Sequence, residues 1–273
     1  RTLRLTRAEI VDPNVSSRLV AANGQLVGYA KLDHFMEAAA CEHLALQIQL
    51  LEAHGATSLV LDLRGNGGGR TDQAVCIASL FLGRGKVVYQ TRYLEDGHVE
   101  SSSSDRDAIT TLPLMVLIDG GSASASEILS GTLQDHKRAW IAGQRSFGKA
   151  TVQAPMPTSI AGVRMWLTIA RFYLPTGRTN QLVGISPDFE LAPVPNATAD
   201  DVLYQREEDL YTNALPAVGP TWVQHRGLGI STIRARCAGH EARVAARLAE
   251  EGRGPMRPDY MLMQAADLGT CAR

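Results

Sequence analysis

Two short, almost wholly apolar runs constrain this chain more than any other feature: Ser58 to Leu63 (SLVLDL) and Leu112 to Ile118 (LPLMVLI). Neither is long enough for a helix, and the first lacks the polar alternation of a strand with one wet face. It reads as a strand of the buried type, covered on both sides. Each run opens into small residues and then into a helical stretch. Arg64-Gly65-Asn66-Gly67-Gly68-Gly69 leads to a helix over 71–81, and Gly121 to Ser126 (GSASAS) leads to one over 127–133. Strand, tight turn and helix in repetition predict an α/β layered domain.

The remaining pattern extends that reading. Leu3 to Val11 reads as a strand closed by Asp12-Pro13-Asn14, and Gln25 to Leu32 as another after the Asn23-Gly24 turn, the two being hairpin partners or neighbours. Met36 to His54 carries Leu44, Ile48 and Leu51 at helical spacing and stops at Gly55. Lys86 to Tyr93, Ala139 to Ala142, Thr151 to Met156, Val163 to Phe172 and a last segment near Phe189 read as strands, and Asp96 to Asp107, with four consecutive serines, as a mobile polar loop. After Pro193 the character changes to charged helix over 199–215 and 241–251. The expected division is a core of residues 1–195 and a helical C-terminal extension of residues 196–273.

Composition narrows the function. With 273 residues, 45% hydrophobic and 20% charged, at a net charge of −1, the chain has no basic excess for nucleic acid or an anionic membrane surface. Its longest apolar run is too short to span a bilayer. Its first residue is Arg1 rather than Met, which reads as a mature or trimmed piece. Cys41 and Cys76 lie in apolar helical stretches and are expected to be buried free thiols; Cys237 and Cys271 flank the C-terminal helical tail and are expected to form one disulfide. Neither CxxC nor HExxH occurs and the seven histidines are scattered, so no metal site is expected.

Three motifs bear on chemistry. The glycine run 65–69 admits three readings: a tight turn needing positive φ, an oxyanion hole in which one glycine N–H faces a carbonyl, or a phosphate cradle. Residues 143–149 (GQRSFGK) approach a P-loop, but Ala150 stands where a hydroxyl is needed, and Pro155 and Pro157 block the following helix, so nucleotide binding is not expected. Ser124 has two readings. It opens the box Ser124-Ala125-Ser126-Glu127 and so fits a helix cap, yet a serine at a helix N-terminus also sits where free N–H groups converge, which suits a nucleophile. Lys149, alone, reads as a surface lysine or as a base held in apolar surroundings.

Taken together and in order, these pieces resemble the C-terminal processing (tail-specific) proteases of the S41 serine peptidase family. The carriers are Leu63-Arg64-Gly65-Asn66-Gly67-Gly68-Gly69, Gly121 to Ile128, Gln134-Asp135, Phe147-Gly148-Lys149 with Gln153, Tyr173 to Arg178, and Gly184-Ile185-Ser186-Pro187-Asp188. The resemblance implies a ClpP/crotonase-like β-β-α spiral core. It implies Ser124 as nucleophile, Lys149 as general base, Gln153 orienting the lysine, and the N–H groups of Ala125 and of Gly67 or Gly68 as the oxyanion hole. Asp135 matches an acidic position whose expected part is support, tying the helix to a neighbour. The implied activity is endopeptidase cleavage of polypeptides near their C-termini through an acyl-enzyme, outside the cytoplasm, with no metal or nucleotide cofactor; homo-oligomerisation is left open. Relatives usually carry a PDZ domain before the segment matching residues 3–32, so the chain is expected to begin where such a domain ends. Two other classes share the fold. A crotonase-like acyl-CoA enzyme would need an adenine-nucleotide site and acidic catalytic groups that the sequence does not offer. A catalytically inactive relative binding peptides or apolar ligands is the alternative, and the intact set Ser124, Lys149 and Gln153 argues against it.

Overall fold

The computed structural model describes residues 13–160, 162–194, 205–221, 235–251 and 259–271. It opens with a hairpin: β1 (Val15–Ala22) runs antiparallel to β2 (Gln25–Leu32). Asn23 and Gly24 join them with φ of 48° and 69°, the two left-handed residues that a right-twisted hairpin needs. The strand expected over 3–11 lies outside the described residues. The actual partner of β2 escaped the apolar pattern because its first half, Val15-Ser16-Ser17-Arg18-Leu19, is mostly solvent-facing.

From β2 the chain builds a parallel sheet. The elements are α1 (Ala40–Ala53), β3 (Ser58–Asp62), α2 (Thr71–Leu82), β6 (Leu114–Ile118), α3 (Ala125–Asp135), β7 (Ala139–Gly143) and β10 (Phe189–Glu190). The sheet order is β1-β2-β3-β6-β7-β10, every pair after the first being parallel. Both β3 and β6 are buried at all five positions, as their apolar runs require. Strand alternation divides them. Leu59, Leu61, Leu114, Val116 and Ile118 face the core that holds α1, α2 and α3, while Val60, Met115 and Leu117 face a second core on the other side.

That second core is closed by the C-terminal segment. A helix of Tyr260–Cys271, here α6, presents Met261, Leu262, Ala265, Ala266 and Leu268 to Val60, Met115 and Leu117. A preceding helix, α5 (His240–Glu251), is tied to it by His240 and Arg243 on Asp267. Of the helix expected over 199–215, residues 199–204 lie outside the described set, and the described part is one turn, α4 (Glu207–Leu210).

A second, antiparallel sheet of order β5-β4-β9-β8 is formed by β4 (Val87–Tyr93), β5 (Val99–Ser103), β8 (Thr151–Pro157) and β9 (Arg164–Tyr173). Here the serine-rich loop expectation is overturned. Ser101, Ser102 and Ser103 are strand residues paired with Gln90, Tyr89 and Val87. An exposed edge strand needs only its backbone bonds, so polar side chains do not forbid it.

Both cysteine pairs are bridged. Cys237–Cys271 joins as expected, with Cα atoms 5.5 Å apart. Cys41 and Cys76, expected as free thiols, are also a disulfide, with Cα atoms 6.0 Å apart. The expectation treated each helix alone. Packing α1 beside α2 over one core turns the two buried thiols toward each other.

Candidate active site

The site forms where three turns meet at the N-terminal end of α3. Ser124 precedes the helix with φ of 56°, a strained value for a residue with a Cβ, and is half-buried. A sharp strand-to-helix turn of this kind presents a side chain outward. Its neighbours are committed elsewhere. Ser122 is buried, its Oγ donating to the Leu63 carbonyl at 2.8 Å, and Ser126 is buried with Oγ donating to the Asn66 carbonyl at 2.8 Å.

The glycine turn lies directly against this serine. A Cβ added to Gly68, whose φ is 96°, would stand 2.7 Å from the Ala123 carbonyl oxygen, 2.9 Å from the Ala125 nitrogen and 2.9 Å from Ser124 Cβ. Glycine is therefore required by close approach as well as by conformation. The Gly68 N–H is itself donated to Asn66 Oδ1 at 2.9 Å, whereas Gly67 is exposed, with open space beside it. Ala125 occupies the first helical position, where helix geometry supplies no acceptor for its N–H.

Glu127 joins the serine turn to the lysine loop. Its side chain is fully buried, and both oxygens are filled by donors. Oε1 accepts from Ser146 Oγ at 2.6 Å and from Gly148 N at 2.8 Å; Oε2 accepts from Ser124 N at 2.9 Å and from Lys149 N at 2.8 Å. One carboxylate oxygen thus holds the backbones of Ser124 and Lys149 together. Burial pushes this carboxyl up to about 7, against the four donors, which favour the anion. The P-loop-like run 143–149 does bind an anion through its amides, but the anion is this internal carboxylate.

The Lys149 ammonium donates to Gln153 Oε1 at 2.9 Å, and Gln153 is held in turn by its Nε2 donating to Thr151 Oγ1 at 3.0 Å. Burial lowers the lysine below its ordinary value, and the charges of Glu207 and Glu127 draw it back up. The carbonyl of Lys149 accepts from Asn180 Nδ2 at 3.2 Å, and Ala150 N donates to Gln181 Oε1 at 2.8 Å.

Asp135 lies at the other end of α3. It pairs with Arg178 Nε at 2.8 Å and accepts from Thr176 Oγ1 at 2.7 Å, with the Asp135 and Arg178 side chains 0% and 3% exposed. It ties the helix to the 173–178 turn. Next to it, His136 places Nε2 2.7 Å from the Val87 carbonyl. Twelve residues of rise put His136 roughly 18 Å from Ser124.

Pattern reading missed the extent of Glu127, which the capping box shows only as a partner of Ser124, and it missed Glu207 entirely. The sole candidate metal cluster among the described residues is Cys41, Glu42 and Cys76, whose two thiols are spent in the disulfide. Among the described residues no helix is long and apolar enough to cross a membrane.

Residues 26–191 match the sequence pattern of peptidase family S41. The chain is 36% identical over 219 residues to the carboxyl-terminal-processing protease of Picosynechococcus sp., covering 78% of this chain and 51% of that protein. It is 37% identical over 218 residues to the protein of the same name from Synechocystis sp., covering 77% and 50%. Among solved structures, the photosystem II D1 C-terminal processing protease superposes with a TM-score of 0.60 at 32% identity, over 72% of this chain and 53% of that one. The chain spans about half the length of these relatives. With its glycine turn, serine turn and lysine loop inside the matched segment, the chain belongs to peptidase family S41.

Proposed function

We propose that this chain is the catalytic part of a serine endopeptidase that cuts polypeptides near their C-termini with a Ser–Lys pair. Ser124 Oγ attacks the scissile carbonyl carbon while neutral Lys149 Nζ takes the hydroxyl proton. The C–N bond then breaks, Lys149 returns the proton to the departing amine, and an acyl-enzyme remains on Ser124 until water resolves it. Ala125 N–H and an amide of the 67–68 turn receive the oxyanion, with Gly67 favoured because the Gly68 N–H is donated to Asn66. Gln153 orients the lysine. The strand and helix order agrees with a ClpP/crotonase-like spiral, which forms part of the proposal.

The observation that carries this reading is the Glu127 oxygen bonded to both the Ser124 and Lys149 amides. It brings a half-buried serine on a strained turn and a desolvated lysine into one place, from segments on opposite sides of α3. A labelled serine-acylating peptide probe tests it. Peptide mapping should find the label on Ser124, with none in Ser124→Ala. Labelling at Ser122 or Ser126 would move the nucleophile, and no labelling of a folded, wild-type chain would favour a binding module.

An extracytoplasmic location belongs to the same proposal, because all four cysteines are bridged. Alkylation of the unfolded, unreduced protein from its natural compartment should then add no mass. Four alkylated thiols would remove this support.

A further inference from the structure

The charges of two carboxylates reach Lys149. Glu127 comes from α3 and serves four donors, as described. Glu207 comes from α4, beyond the segment that matches the family pattern. Its backbone N–H donates to the carbonyl of Phe147 at 3.2 Å, which docks α4 on the lysine loop two residues before Lys149. The residue is 6% exposed. The nearby arginines do not neutralise it: Arg145 and Arg206 both pair with Glu208, one position on. Glu207 Oε2 is buried and has no hydrogen-bond partner among the described residues. Gln181 lies beside it, its Oε1 occupied by Ala150 N–H. A buried carboxylate with an open lone pair, on a helix docked against the lysine loop, has two groups to act on, the Gln181 amide and the desolvated Lys149, and of these only the lysine carries charge.

We propose that Glu207 is a positioning residue for Lys149, its carboxylate stabilising the ammonium that forms when the lysine takes the serine proton and holding it until the leaving amine collects that proton. The inference rests on Lys149 being the general base. Burial alone favours a neutral lysine, which accepts a proton readily but gives a poorly stabilised ammonium once it has it. A carboxylate opposite corrects this. The directions agree: burial lowers Lys149 while Glu207 raises it, and burial raises the Glu207 carboxyl while Gln181 and Lys149 lower it. The C-terminal extension therefore completes the lysine site, and does more than cover the second core.

The test compares wild type with Glu207→Gln in two readouts. The chain has only four lysines, Lys31, Lys86, Lys137 and Lys149, so lysine-labelled protein allows each side chain to be titrated by NMR, with Lys149 assigned by the signal lost in Lys149→Arg. The Lys149 midpoint should fall by about one pH unit in Glu207→Gln, the lower end of what an opposite charge at short range contributes, while the other three lysines stay in place. The acid limb of kcat/KM on a peptide substrate should move down equally. An unmoved Lys149 midpoint in a folded Glu207→Gln protein, with its melting temperature intact, overturns the proposal. A midpoint that moves while the rate profile stays supports the Glu207–Lys149 pair and overturns Lys149 as the base, so the two failures are distinguishable. If Glu207→Gln does not fold, Glu207→Asp keeps the charge and withdraws it by one methylene. A smaller downward shift then supports the pair, and no shift overturns it.

Discussion

The two ends of α3 each carry a buried acid, and the acids do different things. At the C-terminal end Asp135 meets Arg178, and charge cancels charge. At the N-terminal end Glu127 meets only neutral donors, three backbone N–H groups and one hydroxyl. Burial drives the second acid up to about 7. A cation-neutralised carboxylate is a rivet. A carboxylate held by dipoles alone has no partner cation to cancel its charge, so when ionised it gathers a serine turn and a lysine loop and also acts on the lysine. The burial of an acid says little about its role; the charge of its partner says more.

The largest effect that would sharpen this contrast is at the lysine. Lys149→Arg should lower kcat on the order of 10⁴-fold with little change in melting temperature, because a guanidinium cannot give up its proton. Activity within tenfold of wild type would show that another group is the base. The opposite end should respond in stability instead. Asp135→Ala should cost about 3–5 kcal/mol by denaturant titration, since it leaves Arg178 buried and unpaired, while the folded fraction keeps its kcat within about threefold. A stable Asp135→Ala protein that has lost turnover would erase the distinction between the two ends.

Glu127→Gln should fall between. The amide NH₂ must face donors on whichever oxygen it replaces, so about 2–3 kcal/mol of stability should be lost together with at least tenfold in kcat/KM. Loss of stability alone would reduce Glu127 to a rivet like Asp135. The pH profile follows from Lys149. Its folded value is lowered by burial, so the neutral base forms at lower pH than for an exposed lysine; activity should rise with pH along a limb below the ordinary lysine value and fall as pH drops through it. An acid limb at the ordinary lysine value would mean the side chain is solvated during turnover. The smallest effect belongs to Ser126→Ala, about 1 kcal/mol for its bond to the Asn66 carbonyl, with turnover intact.

Much of this was legible because it is local. The runs at 58–63 and 112–118 are buried on both faces, and any strand so apolar must be. Most left-handed positions fall on glycine or on Asn23, whereas those at Ser124, Lys137 and Leu182 had no such mark. What stayed hidden was polar or distant. β1 carries Ser16, Ser17 and Arg18 along a mostly exposed first half, and β5 meets water on both faces, so neither had an apolar signature. Glu127 reads as a capping residue within four positions and as the junction of the site only when residues 146–149 fold over it.

By itself the sequence determined the layered α/β class, the order of the strands and helices in its core, and the residue types that family resemblance assigns to the chemistry. Those follow from side-chain period and steric preference, which act over a few residues. Tertiary structure alone decided that Cys41 reaches Cys76, that the last helix covers the far face of the sheet, and that Glu207 docks on the lysine loop at Phe147. Each depends on two segments tens of residues apart arriving at one place, and only the burial of a shared core brings them there.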